Sequence, residues 1–161
     1  MNSRRIEKSR TFPVDAERAY DVVLPAPLTD IFGRRYGAIA PIKAVEGQEG
    51  VWGRSVGQTR TIRLADGATM LETLTVLNRP HRFGYNISNV TGILKGLVAA
   101  ADGMWTFAPV GTGVRITWAW DITPTRAGRL AMPVFARLWS GYARQAMEEI
   151  ERILVPDRSH T

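Results

Sequence analysis

The amino-acid sequence predicts an α+β fold, in which a curved antiparallel sheet of about six or seven strands wraps around a long C-terminal helix, with two short helices after the first strand. Two observations support this prediction. Between residues 105 and 122, large apolar residues alternate with other residues on both sides of a turn, as in a β-hairpin with one buried face. A long amphipathic segment then ends near Leu154, and its apolar side needs a sheet to cover it.

The predicted hairpin has an aromatic wall on its buried face. Residues 109–112 are typical of a tight turn. Antiparallel pairing around that turn places Phe107 opposite Val114 and Trp105 opposite Ile116, so the large apolar side chains point to one face. Because a curved sheet closed over one long helix leaves a pocket, we expect this wall to line a cavity.

The opening segment predicts a strand and two short helices. Residues 4–12 end at a proline, which suits a first strand. Asp15 has the position and chemistry of a helix N-cap, and good helix formers follow it. Pro25 and Pro27 end this first helix, and a second short helix is expected at about residues 28–32.

Four further strands are expected in the middle of the chain. Residues 40–47, 59–64 and 68–77 show strand character. The turn at residues 78–81 then sends a strand that begins near Phe83 back along the sheet. The sheet therefore grows as a meander of hairpins.

The register of the hairpin at Ala65-Asp66-Gly67 decides which polar residues share its buried face. A two-residue loop pairs Thr61 with Glu72, and a three-residue loop pairs Arg60 with Glu72. We favour the three-residue loop because it collects apolar residues of both strands on one face. Because a carboxylate there is costly to bury alone, Arg60 is the predicted partner of Glu72.

Two boundaries stay open in the sequence. Residues 90–103 contain three glycines and lack clean periodicity, so they form either a strand or a mobile apolar lip. Proline inside a helix removes a hydrogen bond and clashes with the preceding turn. The secure part of the C-terminal helix is therefore expected from about Pro133 through Leu154, and a start at Thr125 is disfavoured.

Composition excludes several kinds of chemistry. The 161 residues are expected to form one domain, residues 1–161. The chain has no cysteine and two histidines, which leaves no pair for a zinc site or a Ser-His relay, so no metal and no cofactor is expected. If the protein is an enzyme, its catalytic groups must be carboxylates, tyrosines, arginines or ordered water.

The net charge of +6 raises the question of nucleic acid as a partner. The arginines are spread over nearly every segment, without a dense cluster among exposed aromatic residues, so nucleic-acid binding is disfavoured. Neither a membrane-spanning apolar run nor a signal segment is recognisable, and we expect a cytoplasmic protein. Either a monomer or a homodimer is compatible with the sequence.

Three segments resemble those of a known family. Residues 12–21 resemble its opening strand-to-helix passage, residues 72–83 its central hairpin and residues 113–118 its last strand. In this order, they identify the chain as a member of the SRPBCC superfamily, the START and Bet v 1-like helix-grip proteins that include polyketide cyclase/dehydrase-like members. The resemblance implies a helix-grip fold with a cavity. Because members include lipid carriers, quinone binders, cyclases and co-chaperone partners, it leaves the ligand open.

Three functions are compatible with these observations. The leading hypothesis is binding of an apolar or aromatic small molecule, lipid-like or polyketide-like, between the sheet and the C-terminal helix. The second is a polyketide aromatase/cyclase or dehydratase in which Glu72, Arg60 and Tyr85 polarise a carbonyl group and move a proton. The third is a protein-interaction module of co-chaperone or ribosome-associated type. Whether the protein is an enzyme stays open.

The predicted ligand-binding residues come from the aromatic wall, the neighbouring strands and the helix. They are Met70, Leu74, Tyr85, Ile87, Trp105, Phe107, Ile116, Trp118, Trp120, Phe135, Trp139 and Tyr142. A lip of exposed apolar residues is also expected to allow transient membrane contact during ligand exchange. This lip consists of Ile93, Leu94, Leu97 and Val98.

Overall fold

A computed structural model describes residues 3–156. The strands are β1 (Arg4–Phe12), β2 (Ile42–Glu46), β3 (Thr59–Leu64), β4 (Thr69–Asn78), β5 (Arg82–Ser88), β6 (Val98–Val110) and β7 (Gly113–Pro124). The helices are α1 (Ala16–Val23), α2 (Leu28–Ile31) and α3 (Gly128–Leu154), and Ile93–Gly96 forms a 3₁₀ helix. All seven strands pair antiparallel in one sheet, in the order β1-β7-β6-β5-β4-β3-β2. The predicted fold class is confirmed.

Helix α3 covers the apolar face of the sheet. Its 27 residues make a rod about 40 Å long. Phe135, Trp139, Ala146 and Ile150 recur at helical spacing and are buried against the sheet. Within residues 3–156, no helix combines the length and the apolar character that a membrane crossing needs.

Helix α3 begins earlier than predicted and continues through Pro133. Two contacts hold its first turn in place. The Gly128 N–H donates to Thr125 Oγ1 at 2.9 Å, and the Gly128 backbone lies so close to Leu97 that a Cβ would meet the Leu97 carbonyl oxygen at 2.1 Å. The bond missing at Pro133 would have used the carbonyl of Arg129, an exposed residue. Tertiary anchoring therefore outweighs the local cost of the proline.

The β6–β7 hairpin differs from its predicted register by two residues. The turn has two residues and begins at Gly111, whose φ is +58°. Phe107 therefore pairs with Ile116, and Trp105 pairs with Trp118. Two-residue turns with positive φ match the twist of the flanking strands better than a four-residue loop does. Because side chains alternate with a period of two, the same residues still face the core.

The β3–β4 hairpin has the predicted register. Arg60 pairs with Glu72 across the strands, and Gly67 has a φ of +93°, which suits the last position of a three-residue loop. The prediction that the three-residue turn pairs Arg60 with Glu72 is therefore confirmed.

Segment 90–103 turns out to contain two structures. The 3₁₀ helix Ile93–Gly96 comes first, and strand β6 begins at Val98. Of the two predicted alternatives, the strand accounts for the segment from Val98 onward, and the residues before it form a 3₁₀ helix that was not predicted. Of the predicted lip, Ile93 is 71% exposed, whereas Val98 is buried and unavailable for membrane contact in this fold. Leu94 and Leu97 are half-buried.

Candidate ligand-binding cavity

A cavity lies between the sheet and the three helices. Its walls enclose about 830 Å³ of empty space, the open mouth included. Within this space, the centre of a water molecule can occupy positions that make up about 80 Å³. At about 10–15 Å³ per water, that room holds roughly five to eight waters, or about 150–240 Å³ of liquid volume. This volume is about that of a molecule with two fused rings.

Most of the predicted ligand-binding residues line this cavity. They are Met70, Tyr85, Ile87, Trp105, Trp118, Trp120, Phe135, Trp139 and Tyr142. Arg60 and Glu72, the other candidates for catalysis, line it as well. Four of the five tryptophans of the chain thus border one space, and Trp52 is the exception.

Leu74, Phe107 and Ile116 are buried but do not line the cavity. The ring of Phe107 packs edge-on against Tyr20 of helix α1 with 5.4 Å between centroids, so α1 fills the space above that end of the hairpin. Ile116, paired with Phe107, lies at the same end. Leu74 lies outside the main apolar cluster, where its N–H donates to the carbonyl of Gln58. These three predicted residues therefore lie outside the wall of this cavity.

The segment from α1 to β2 supplies wall residues that the predicted set lacks. They are Val23, Leu24, Leu28, Ile31, Phe32, Ile39, Ala40 and Ile42. The four residues of helix α2 are too few for a periodic pattern to mark a buried face. Further wall residues come from β3, β5 and the 3₁₀ helix, namely Ile62, Leu64, Phe83 and Leu94.

Stacked indoles form one side of the cavity. The Trp118 ring lies between Trp105, at 5.4 Å, and Trp139, at 4.5 Å between centroids. The Nε1–H groups of Trp118 and Trp120 both donate to the Tyr85 hydroxyl oxygen, at 2.7 and 2.8 Å. These contacts fix the Tyr85 side chain inside an otherwise aromatic wall.

Tyr85 lies across the strand pair from Gly103. A Cβ at Gly103 would come within 2.1 Å of Tyr85 Cζ, so only glycine leaves room for the tyrosine ring. Burial raises the pKa of the Tyr85 hydroxyl far above its ordinary value, and the negative charge of Glu72 raises it further. The hydroxyl therefore keeps its proton near neutral pH.

Arg60 and Glu72 form a buried ion pair, as the predicted register required. Arg60 Nε donates to Glu72 Oε1 at 2.8 Å, and the two side chains are only 4% and 5% exposed. The guanidinium also stacks 3.8 Å from the ring centroid of Trp52 and donates to Gln48 Oε1 at 3.3 Å. Trp52 and Gln48 belong to an irregular loop, and nothing in the sequence pattern pointed to this contact.

The side chain of Gln58 holds that loop in shape. Its Oε1 accepts the N–H groups of Gly53 and Arg54, and its Nε2 donates to the carbonyls of Glu49 and Val51. One glutamine thus organises the turn that presents Trp52 to Arg60.

Burial dominates the titration of Glu72. It raises the pKa of the carboxyl above the ordinary value, although the charge and the hydrogen bond of Arg60 oppose the rise. In the unfolded chain, the pKa of a glutamate side chain is about 4.3. Above that pH and up to the raised pKa, the native protein binds more protons than the unfolded chain, so this group contributes less stability as pH rises.

The pH dependence of stability tests this assignment. We expect the free energy of unfolding of the wild type, minus that of Glu72→Gln, to fall as pH rises from 4 towards neutrality, because glutamine does not titrate. Urea unfolding at a series of pH values measures this difference. The contributions of the exposed carboxylates are the same in both proteins and cancel in the difference. A difference that rises with pH would show a lowered pKa and contradict the assignment.

Solved structures share this fold over nearly their whole length. The crystal structure of Ara h 8.0201 has a TM-score of 0.68 at 16% identity and covers 97% of this chain and 100% of its own. A major latex-like protein 151 structure from Panax ginseng has a TM-score of 0.68 at 13% identity, with 96% and 99% covered. TTHA0849 from Thermus thermophilus has a TM-score of 0.68 at 16% identity, with 97% and 100% covered. The architecture is the Bet v 1-like helix-grip fold.

The sequence also shows which family the chain belongs to. The chain belongs to the family described as polyketide cyclase / dehydrase and lipid transport, whose sequence model matches residues 3–154, and thus to the SRPBCC superfamily. No curated protein sequence matches it. This membership establishes a domain of the type that binds hydrophobic ligands and leaves the particular ligand undetermined.

Proposed function

We propose that the protein binds one apolar or aromatic small molecule in the cavity between the sheet and helix α3. The observation that carries this proposal is the composition of the wall, in which four indoles and many aliphatic side chains surround four polar side chains, each with a hydrogen-bonding or ionic partner. With such a wall, the free energy of ligand binding comes mainly from removing the apolar surface of the ligand from water. A compact aromatic molecule of about two rings suits the room available.

The polar groups support binding more than acid–base catalysis. Tyr85 keeps its proton near neutral pH because burial raises its pKa. The Glu72 carboxylate is engaged by Arg60 at 2.8 Å, so it would have to give up part of that ion pair to take a proton from a substrate. The open cavity also supports ligand binding over a role as a pure interaction module, for which a filled core would suffice.

Reducing the cavity tests the proposal. Ala40 is buried and lines the cavity, so Ala40→Leu places a larger side chain in the ligand's space. We expect indane, a bicyclic hydrocarbon, to bind the wild type at a single saturable site and to bind Ala40→Leu at least ten-fold more weakly. The indole N–H signals in nitrogen-15 spectra report binding, and Trp52 serves as the internal reference outside the cavity.

Ala44→Leu is the matched control. Ala44 lies on strand β2 outside the cavity wall, so this variant should bind indane like the wild type. Equal affinities of the Ala40 and Ala44 variants, or no saturable shift in the wild type, would refute the proposed site.

A further inference from the structure

Helix α3 has an exposed stripe of apolar and basic residues on its N-terminal half. Leu130 is 91% exposed and Val134 is 64% exposed, and they lie one turn apart. Pro133 beside them is exposed, and so are Arg129 and Arg137 at the two ends of the stripe. These five residues fall within about 140° of the helix circumference and cover about 12 Å of its length. They therefore form one surface that faces solvent.

The 3₁₀ helix lies beside the start of this stripe. The Thr125 hydroxyl group donates to the carbonyl of Gly96 at 2.7 Å, and the Thr125 N–H donates to the carbonyl of Leu97 at 3.1 Å. These bonds hold the 3₁₀ helix against the segment that leads into helix α3. Ile93 of the 3₁₀ helix is 71% exposed, and Lys95 is exposed as well. The name α3 patch is used below for Ile93, Lys95, Arg129, Leu130, Pro133, Val134 and Arg137.

All charged side chains of the α3 patch are positive. Neither residues 90–101 nor residues 122–147 contain an aspartate or a glutamate, and the acidic residues of helix α3 all lie in its last two turns. Among the described residues, no carboxylate forms an ion pair with Lys95, Arg129 or Arg137. These cations are therefore available to anionic groups outside the protein.

We propose that the α3 patch docks the protein onto the surface of an anionic lipid bilayer. The side chains of Ile93, Leu130 and Val134 then enter the headgroup layer, which removes their apolar surface from water. The cations around them meet the negatively charged headgroups. An acidic protein or a nucleic acid would also pair the cations, but its charged surface would leave the apolar side chains without a partner. The whole patch lies outside the cavity wall, so the inference is independent of the proposed function.

Co-sedimentation with lipid vesicles tests this inference. Vesicles of phosphatidylcholine alone are compared with vesicles in which about one third of the lipid is phosphatidylglycerol, which is anionic. We expect the wild type to bind the anionic vesicles at least ten-fold more tightly than the neutral ones, and less tightly as salt is added. The double variant Arg129→Gln, Arg137→Gln should bind at least ten-fold more weakly than the wild type. Leu130→Gln combined with Val134→Gln should cause a loss of similar size, because the apolar contribution is removed.

Two double variants are the matched controls. Arg82→Gln with Arg115→Gln removes the same charge from strands β5 and β7, and Val51→Gln with Val56→Gln removes two exposed apolar side chains from the loop before β3. Both should bind anionic vesicles nearly like the wild type. All eight substituted residues are exposed, so the variants should fold.

Three results would overturn the inference. They are equal binding of the wild type to neutral and anionic vesicles, a loss of binding in the controls as large as in the patch variants, and unchanged binding after the Leu130 and Val134 substitutions. Analytical ultracentrifugation covers the other possible occupant, a second copy of the chain. A wild-type dimer that ignores vesicles and becomes monomeric in Leu130→Gln, Val134→Gln would assign the patch to self-association and refute membrane docking. None of these results affects indane binding, by which the proposed function is tested separately.

Discussion

Replacing Arg60 by methionine is expected to lower the free energy of unfolding by about 3–5 kcal/mol at neutral pH, because it leaves the Glu72 carboxylate buried without its partner. Methionine preserves most of the length of the side chain, so the loss of charge and hydrogen bonds dominates. The loss should shrink at acidic pH, where Glu72 is protonated and no buried charge remains. Urea unfolding at pH 4 and pH 7 measures both effects.

Two further variants control this experiment. Arg60→Met combined with Glu72→Leu removes both charges and should recover most of the lost stability, because an apolar pair needs no ionic partner. Arg63→Met breaks the ion pair with Glu46 between strands β3 and β2, where the two side chains are 40% and 51% exposed, and should change stability little. A loss in Arg60→Met no greater than in Arg63→Met would contradict a buried, mutually dependent pair.

Replacing Gly103 by alanine is expected to disrupt the aromatic wall. The new Cβ would meet Tyr85 Cζ at 2.1 Å, so the tyrosine ring must move and release the indoles of Trp118 and Trp120. Each buried donor left without a partner costs about 1–3 kcal/mol, so we expect a loss of several kcal/mol in the free energy of unfolding. Binding of indane should also weaken at least ten-fold.

Gly96→Ala is the control for this substitution. Gly96 has open space where a Cβ would lie, so the variant should match the wild type in unfolding and in binding. Thermal unfolding and the indole N–H spectra report both properties. Unchanged Trp118 and Trp120 signals in Gly103→Ala would show that Tyr85 does not depend on this glycine.

The sequence predicted those features that depend on local chemistry. The loop at Asp66 has the composition of a three-residue turn, and that composition was enough to place Arg60 opposite Glu72. The hairpin at Gly111 was less well defined, because two-residue and four-residue turns both keep Trp105 and Phe107 on the same face. Period-two alternation fixes the face of a strand and leaves its register to the turn.

The shape of the cavity could not be predicted in the same way. Trp105 and Phe107 are neighbours on one face of strand β6, yet one lines the cavity and the other lies beneath Tyr20. Their difference depends on where helix α1 crosses the sheet, which no local pattern specifies. The contact of Trp52 with Arg60 has the same origin, because an irregular loop brings together residues from separate parts of the chain.

Native mass spectrometry of gently purified protein tests the central claim, that the cavity holds one small apolar or aromatic molecule. After incubation with indane, we expect a folded species heavier by the mass of one ligand in the wild type and in Ala44→Leu, and mainly the bare mass in Ala40→Leu. A wild-type spectrum that shows only the bare protein, with neither a co-purified molecule nor an adduct of indane, would contradict the proposed binding site.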